Sequence, residues 1–404
     1  MRKGHEIARG KTKILYEHEG QPDVLVVKQQ DGITARDGER RDVIEGKGRI
    51  AAQTTARVFR LLNLCGLPTH YLNGGEDDDD NEMLVRRAQM IPLEVVVRGV
   101  AAGSLVKRRP AIQRGSLLVP RLIEFFLKDD ANHDPQIDID AIVSQGIATP
   151  PEVATMQELA RITYEILAHA WRRNEALLVD LKIEFGRLAS GEGKGQLVIA
   201  DVIDNDSWRV WPQGREELML DKQLYRNLET VTAADLDQIR ANYEQVAEIV
   251  GRFPQMRPGM TALLVDGPEH AGSIDQFART LGQLGLPTVR HAVSVARAPG
   301  HILQLAAQLE ATFARMVFVA IAPPHSALPS LLQNATPNPV MPVNLDDPRP
   351  AEVALRCAKL FALEDTVVFG RVLLMQANAR SEVLAADAQL NVPPPPPAPG
   401  TARA

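Results

Sequence analysis

The N-terminal stretch patterns as strands: residues 13–17, then 24–28 with the apolar run Val24-Leu25-Val26-Val27. A turn at Asp31-Gly32 precedes a predicted helix over 45–65, which Gly66 and Pro68 stop. Residues 84–88 and 93–97 predict further strands, and 151–174 predict a long helix. The strictest alternation falls at 178–185. Asp180, Lys182 and Glu184 share one face there, and Leu181, Ile183 and Phe185 the other. Residues 197–204 predict its partner, with Gly191, Gly193 and Gly195 suiting an antiparallel hairpin between them. That pairing puts Glu184 beside Ala200 and Asp201, so two carboxylates and a lysine meet on one polar patch.

The pattern changes after the Pro- and Gly-bearing stretch 254–259. Strands at 261–265, 288–293, 316–322 and 339–343 alternate with helices at 273–284 and 300–313, and further helices follow. Such alternation predicts a parallel sheet with helices on both faces. Five consecutive prolines at 393–397 predict a disordered tail that packs no core. The expected divisions are 1–253, 260–391 and the tail 392–404.

Composition narrows the class. At 404 residues, 45% hydrophobic and 24% charged, the chain suits a soluble protein of two or three domains. No apolar run approaches the ~20 residues that span a bilayer, and no apolar stretch follows the first residues as a secretory signal would require. The net charge of -6 argues against general nucleic-acid binding. Cys65 and Cys357 are the only cysteines, so neither a disulfide framework nor a cysteine zinc site is expected, and a cytoplasmic location fits.

Several short stretches carry candidate chemistry. Gly10-Lys11-Thr12-Lys13 can set cations and backbone N–H groups against a polyphosphate, although it lacks P-loop spacing. Glu184 and Asp201 supply hard oxygens suited to a Mg²⁺ that keeps its waters and bridges phosphates; a solvated hairpin face with an ion pair has the same pattern. Arg98, Ser104 and Lys107, set among small residues, suit a phosphorylated sugar or an ordinary basic turn. The polar run 128–135 is a functional loop or a helix cap. The aspartates at 77–80 lack the Gly and Glu of a calcium loop and suit a solvated hairpin tip.

Taken together, these stretches resemble the SAICAR synthetase family, most closely its animal-type members fused to an AIR carboxylase domain. The resemblance runs in order over about 8–252: Gly10-Lys11-Thr12-Lys13, Met90-Ile91-Pro92-Leu93-Glu94, Arg98 with the stretch 102–108, the run 125–135, Val179-Asp180-Leu181-Lys182-Ile183-Glu184-Phe185-Gly186, the stretch 200–209 and Asp221-Lys222. It implies mixed α/β and α+β architecture, an ATP-grasp-like domain followed by a flavodoxin-like three-layer domain. It implies ATP- and Mg-dependent ligation of L-aspartate to the carboxylate of carboxyaminoimidazole ribonucleotide through an acyl phosphate, in purine biosynthesis. Carried over, Lys11, Lys13 and Lys128 contact ATP, Glu184 and Asp201 hold Mg²⁺, and Arg98, Ser104, Lys182 and Arg209 hold the ribonucleotide. Lys182, Asp180 and Arg209 are the expected catalytic set.

The sequence departs from the family at Arg36, Glu39 and Gly99, which leaves substrate detail open. Residues 260–391 resemble AIR carboxylase more faintly. Ala296 stands where that family has its catalytic histidine, and Ala322-Pro323-Pro324-His325 replaces a glycine-rich loop; prolines offer no N–H to an anion. A non-catalytic domain serving homo-oligomerisation is expected, with small-molecule substrates as the partners. A fully bifunctional enzyme and a nucleotide-binding scaffold without turnover are the alternatives.

Overall fold

The computed structural model describes residues 2–35, 39–77, 81–129, 132–256, 259–345 and 350–390. Arg36, the aspartates at 78–80 and the proline tail lie outside these described residues.

The first half builds two large antiparallel sheets and a two-stranded one. Its elements are β1 (Lys3–Arg9), β2 (Lys13–His18), β3 (Val24–Gln29), β4 (Gly32–Ala35), β5 (Arg40–Val43), α1 (Lys47–Cys65), β6 (Tyr71–Gly74), β7 (Glu82–Arg86), β8 (Ala88–Val100), α2 (Gly103–Arg108), β9 (Leu117–Leu127) and β10 (Gln136–Ile137). They continue with α3 (Ile139–Ser144), α4 (Pro150–Arg172), β11 (Ala176–Leu188), β12 (Leu197–Ala200), β13 (Trp208–Pro212), α5 (Gln223–Asn227) and α6 (Ala233–Val250). One large sheet runs β1-β2-β3-β7-β6; the other runs β10-β9-β8-β11-β12, with β13 also paired to β11; β4 pairs with β5 in the two-stranded one.

Local chemistry explains the boundaries. Gly66 ends α1 in the left-handed conformation, its N–H reaching the carbonyls of Asn63 and Leu62. Thr149 and Glu152 form a reciprocal capping box at the start of α4, with Pro150 in the first turn. Residues 197–204 do not form one strand. β12 stops at Ala200 because Asp201 turns left-handed, at φ 65°, and takes the chain out of the ladder until it rejoins β11 at Trp208 as β13. The hairpin register is the expected one, with Glu184 opposite Ala200.

The second half is β14 (Met260–Asp266), α7 (Ile274–Gln283), β15 (Thr288–Val293), α8 (Pro299–Thr312), β16 (Met316–Ala322), α9 (Leu328–Ala335), β17 (Val340–Asn344), α10 (Pro350–Ala362) and α11 (Thr366–Leu390). Its four strands are parallel in the order β15-β14-β16-β17. One apolar cluster packs α7, α10 and α11 on one face, and a second packs α8 and α9 on the other. The expected layering is therefore present. The helix α11 joins two cores: Val368 and Val372 pack in its own half, while Val367 and Ala377 belong to the large cluster of the first half.

Candidate active site

The β1–β2 turn of one sheet faces strands β8, β9 and β11 of the other across a cleft of about 1000 Å³. Lys11, Lys13, Arg98, Ser104, Lys128, Asp180, Lys182, Glu184, Asp201 and Arg209 all line it. The residues expected to bind nucleotide, metal and ribonucleotide thus meet in one cavity. Alternation along β11 aims Asp180, Lys182 and Glu184 the same way, and the turn 10–13 is held by Gly10 N–H on the Lys13 carbonyl, 2.8 Å.

Glu184 sits at the centre. Its side chain is 3% exposed and accepts from Lys128 Nζ at 2.7 Å and Lys182 Nζ at 3.4 Å. Burial favours its neutral form, but Lys182, Lys128 and Lys13 outweigh that and hold its pKa below the ordinary carboxylate value. Lys182 also donates to Glu94 Oε1 at 2.6 Å. Burial opposes its charge, yet Glu94 and Glu184 prevail and raise its pKa. Lys13 forms an ion pair with Asp201 on the opposite side of the cleft. Three carboxylates, Glu94, Glu184 and Asp201, and three ammonium groups therefore share one small volume. Glu184 and Asp201 are the hard-oxygen donors in the cleft that would suit a Mg²⁺. Among the described residues there is no group of three or more His, Cys, Asp and Glu side chains placed to hold a metal unaided.

A second array of charges continues from Asp180. Its carboxylate accepts from Arg98 Nη1 at 3.1 Å and from Arg209. Arg98 Nε donates to Glu124 Oε2 at 2.6 Å, and Arg108 Nη2 donates to Glu124 Oε1 at 2.6 Å. Ser104 Oγ accepts from both arginines, at 3.2 Å and 3.1 Å. Ser104 and Arg108 lie one turn apart on α2, so Arg108 shares Ser104 and Glu124 with Arg98; Lys107, expected beside Arg98, is exposed, and neither Lys107 nor Arg108 lines the cleft. Gly103, at φ 56°, lets Arg209 lie against the backbone, where a Cβ would meet Nη2 at 2.5 Å.

A third cluster closes the floor. Asp206 accepts from Lys222 Nζ at 2.8 Å and from the Tyr243 hydroxyl at 3.0 Å, with Lys47 Nζ at 4.0 Å. Burial opposes the Asp206 charge, but Lys47 and Lys222 lower its pKa, while burial and Asp206 raise that of neighbouring Asp204. Sequence reasoning assigned no role to Glu94, Glu124, Arg108, Asp206 or Lys47. The acid density at 201–206 and the pair Asp221-Lys222 were the available signals for the third cluster. Nothing local marked Glu124, whose importance comes from cross-strand neighbours. Arg36 lies outside the described residues. Gly99 faces away from the cleft: a Cβ there would meet the Tyr164 hydroxyl at 1.8 Å.

The family profile described as SAICAR synthetase matches residues 6–242. A phosphoribosylaminoimidazole-succinocarboxamide synthase of Chloroflexus aurantiacus is 52% identical over 253 residues, 63% of this chain and 98% of that one. A Drosophila melanogaster protein is 35% identical over 353 residues, covering 85% of this chain and 81% of that one. It is named bifunctional phosphoribosylaminoimidazole carboxylase/phosphoribosylaminoimidazole succinocarboxamide synthetase. A solved structure of a SAICAR synthetase (Type-2) in complex with ADP superposes with TM-score 0.53 at 32% identity, over 61% of this chain and 97% of that chain. With a charged cleft between two sheets and relatives of this kind, the molecule is an enzyme of the ligase class. The chain belongs to the SAICAR synthetase family, ligases of purine biosynthesis. No helix among the described residues is long and apolar enough to cross a membrane.

Proposed function

We propose that the cleft joins L-aspartate to the carboxylate of carboxyaminoimidazole ribonucleotide at the expense of ATP, by way of an acyl phosphate. The observation that carries this reading is the convergence of Lys13, Lys128, Lys182, Glu184 and Asp201 in one cavity. Phosphoryl transfer needs in-line positioning and charge neutralisation more than covalent help from protein groups. Lys11, Lys13 and Lys128 would hold the triphosphate, and Glu184 with Asp201 would hold Mg²⁺, which supplies charge neutralisation at the phosphates when bound. The ADP complex of the solved relative supports nucleotide use in the same fold.

Arg98, Ser104 and Arg209 would hold the ribonucleotide, with Lys182 on its carboxylate. Asp180, expected to be catalytic, acts in this reading as a positioning group, because two guanidiniums already occupy its carboxylate. Once the acyl phosphate forms, the aspartate amine attacks its carbonyl carbon. The C–N bond forms, the C–O bond to phosphate breaks, and the amine loses its proton.

In the same reading, residues 1–253 form an ATP-grasp-like unit and 260–391 a flavodoxin-like one. The second unit is a carboxylase relative without turnover, retained for homo-oligomer assembly. Asp266 supports this. At the end of β14 it accepts from Val295 N–H at 3.3 Å and from the Ser326 hydroxyl. Both loops that would cradle an anion at the strand ends are thereby tied to one carboxylate. The name of the Drosophila relative favours the bifunctional alternative, so two assays are needed. Ribonucleotide- and aspartate-dependent ADP release should vanish in Glu184→Ala; ADP release unchanged by that substitution would end the ligase reading. Turnover of AIR with bicarbonate would end the reading of the second unit.

A further inference from the structure

A second cavity, of about 490 Å³, lies where the C-terminal end of α4 meets α10 and α11. Ala362, Leu363, Val372 and Leu373 form an apolar wall. The rings of His169 and Phe369 stack beside it, with centroids 4.2 Å apart and planes 13° from parallel. His169 Nδ1 is 3.0 Å from the Thr366 hydroxyl, which locks the imidazole edge-on. Burial, with Arg173 and Arg172 nearby, lowers its pKa to about 4, so the ring adds no charge near neutrality.

The remaining wall has a single sign. Arg172, Arg173 and Lys359 line the cavity, and no carboxylate does among the described residues. Arg173 Nη1 donates to the Leu363 carbonyl at 3.2 Å, leaving its other nitrogens free for an incoming group. Elsewhere on this acidic chain, arginines commonly meet a carboxylate, as Arg161 meets Glu158 at 2.7 Å and Arg380 meets the same residue at 2.5 Å. An apolar, partly aromatic recess with three uncompensated cations at its mouth is complementary to an anion with an apolar body. Its size and its place at a junction between two halves of the chain are those at which small-molecule sites occur.

We propose that this cavity binds a small planar anion, an aromatic body carrying a phosphate, sulfonate or carboxylate. The body packs on Phe369, Val372 and Leu373, and the anionic group meets Arg172 and Arg173. Because the cavity is walled by α4 on one side and α10 and α11 on the other, such a ligand bridges both halves.

The test titrates the full chain with anilinonaphthalene sulfonate in the presence of saturating ATP, then displaces the probe with phenyl phosphate. Saturable one-site binding, displaced by phenyl phosphate, is expected. Arg172→Glu should weaken it by roughly tenfold, the worth of one charge-assisted contact, and Lys359→Glu, which reverses a charge at the mouth, should weaken it less. Arg240→Glu, on the exposed side of α6, should leave it unchanged. Absence of saturable binding, or equal affinity in Arg172→Glu, would overturn the proposal. So would sedimentation showing that copies associate through this face, are released by Arg172→Glu, and bind no probe while associated.

Discussion

Arg98 Nε and Glu124 Oε2 lie 2.6 Å apart, and the two side chains are 4% and 2% exposed. An ion pair that buried contributes little compared with an apolar replacement, but removing one member is costly because the other charge is stranded. Glu124→Ala takes a partner from both Arg98, which keeps Asp180 and Ser104, and Arg108, whose side chain is one-third exposed. The variant should lose about 1–3 kcal/mol of stability, read from denaturant midpoints. If Arg98 serves the ribonucleotide, Glu124→Gln should raise the KM for that substrate well above any change in the KM for ATP. An equal rise in both would remove Glu124 from substrate positioning.

Gly99 and Tyr164 make a different kind of pair. The Tyr164 hydroxyl donates to the Leu178 carbonyl at 2.7 Å and occupies the place of a Gly99 side chain. Gly99→Ala should therefore cost about 1–3 kcal/mol by overpacking. In a Tyr164→Leu background the cost should shrink, giving a coupling visible in a double-mutant cycle. Additive losses would show that the two positions do not meet. Turnover per folded molecule should change little, because Gly99 points away from the cleft.

These two pairs also mark what was legible in the sequence. Alternation along 178–185 showed which face of β11 carries chemistry, because a period of two is a local property. The parallel sheet of the second half was legible for the same reason: four apolar strand runs are separated by helix-length segments. Glu94 and Glu124 were not, because their roles depend on the register of β8 against β11 and β9, and register is fixed by partners far along the chain. The end of β12 at Ala200 was missed because 197–204 is uniformly strand-prone, while the left-handed Asp201 depends on its surroundings. Gly99 read as a substrate-specific departure until Tyr164, from α4, was seen to fill its side-chain space.

Removing divalent metal should separate activity from folding. Glu184 and Asp201 are already neutralised by Lys128, Lys182 and Lys13, so no bare pair of carboxylates is left behind. Chelation should abolish aspartate-dependent ADP release and shift the melting midpoint by no more than about 2 °C, less than ~1 kcal/mol would shift a domain of this size. A large fall in the melting midpoint on chelation would mean that the metal holds the cleft together, and that the lysines are poor substitutes.

Asp221 predicts a pH dependence of stability. It is 3% exposed and accepts from Val210 N–H at 3.1 Å and Gln223 N–H at 2.8 Å. Burial nonetheless pushes its pKa up to about 6 from 3.8, with the backbone donors and Arg209 pulling the other way. A carboxyl that binds its proton more tightly when folded stabilises the fold at low pH and loses that contribution as pH rises through its folded pKa. The window is about 4 to 6, and at ~1.4 kcal/mol per unit the full loss is about 3 kcal/mol. Asp221→Asn cannot titrate, so the difference in unfolding free energy between wild type and variant should move against wild type as pH rises from about 4 to 6. The slope is the informative quantity, since the amide also changes one acceptor contact at every pH. Parallel curves for the two proteins would show that Asp221 is ionised throughout, its two backbone donors and Arg209 having outweighed burial.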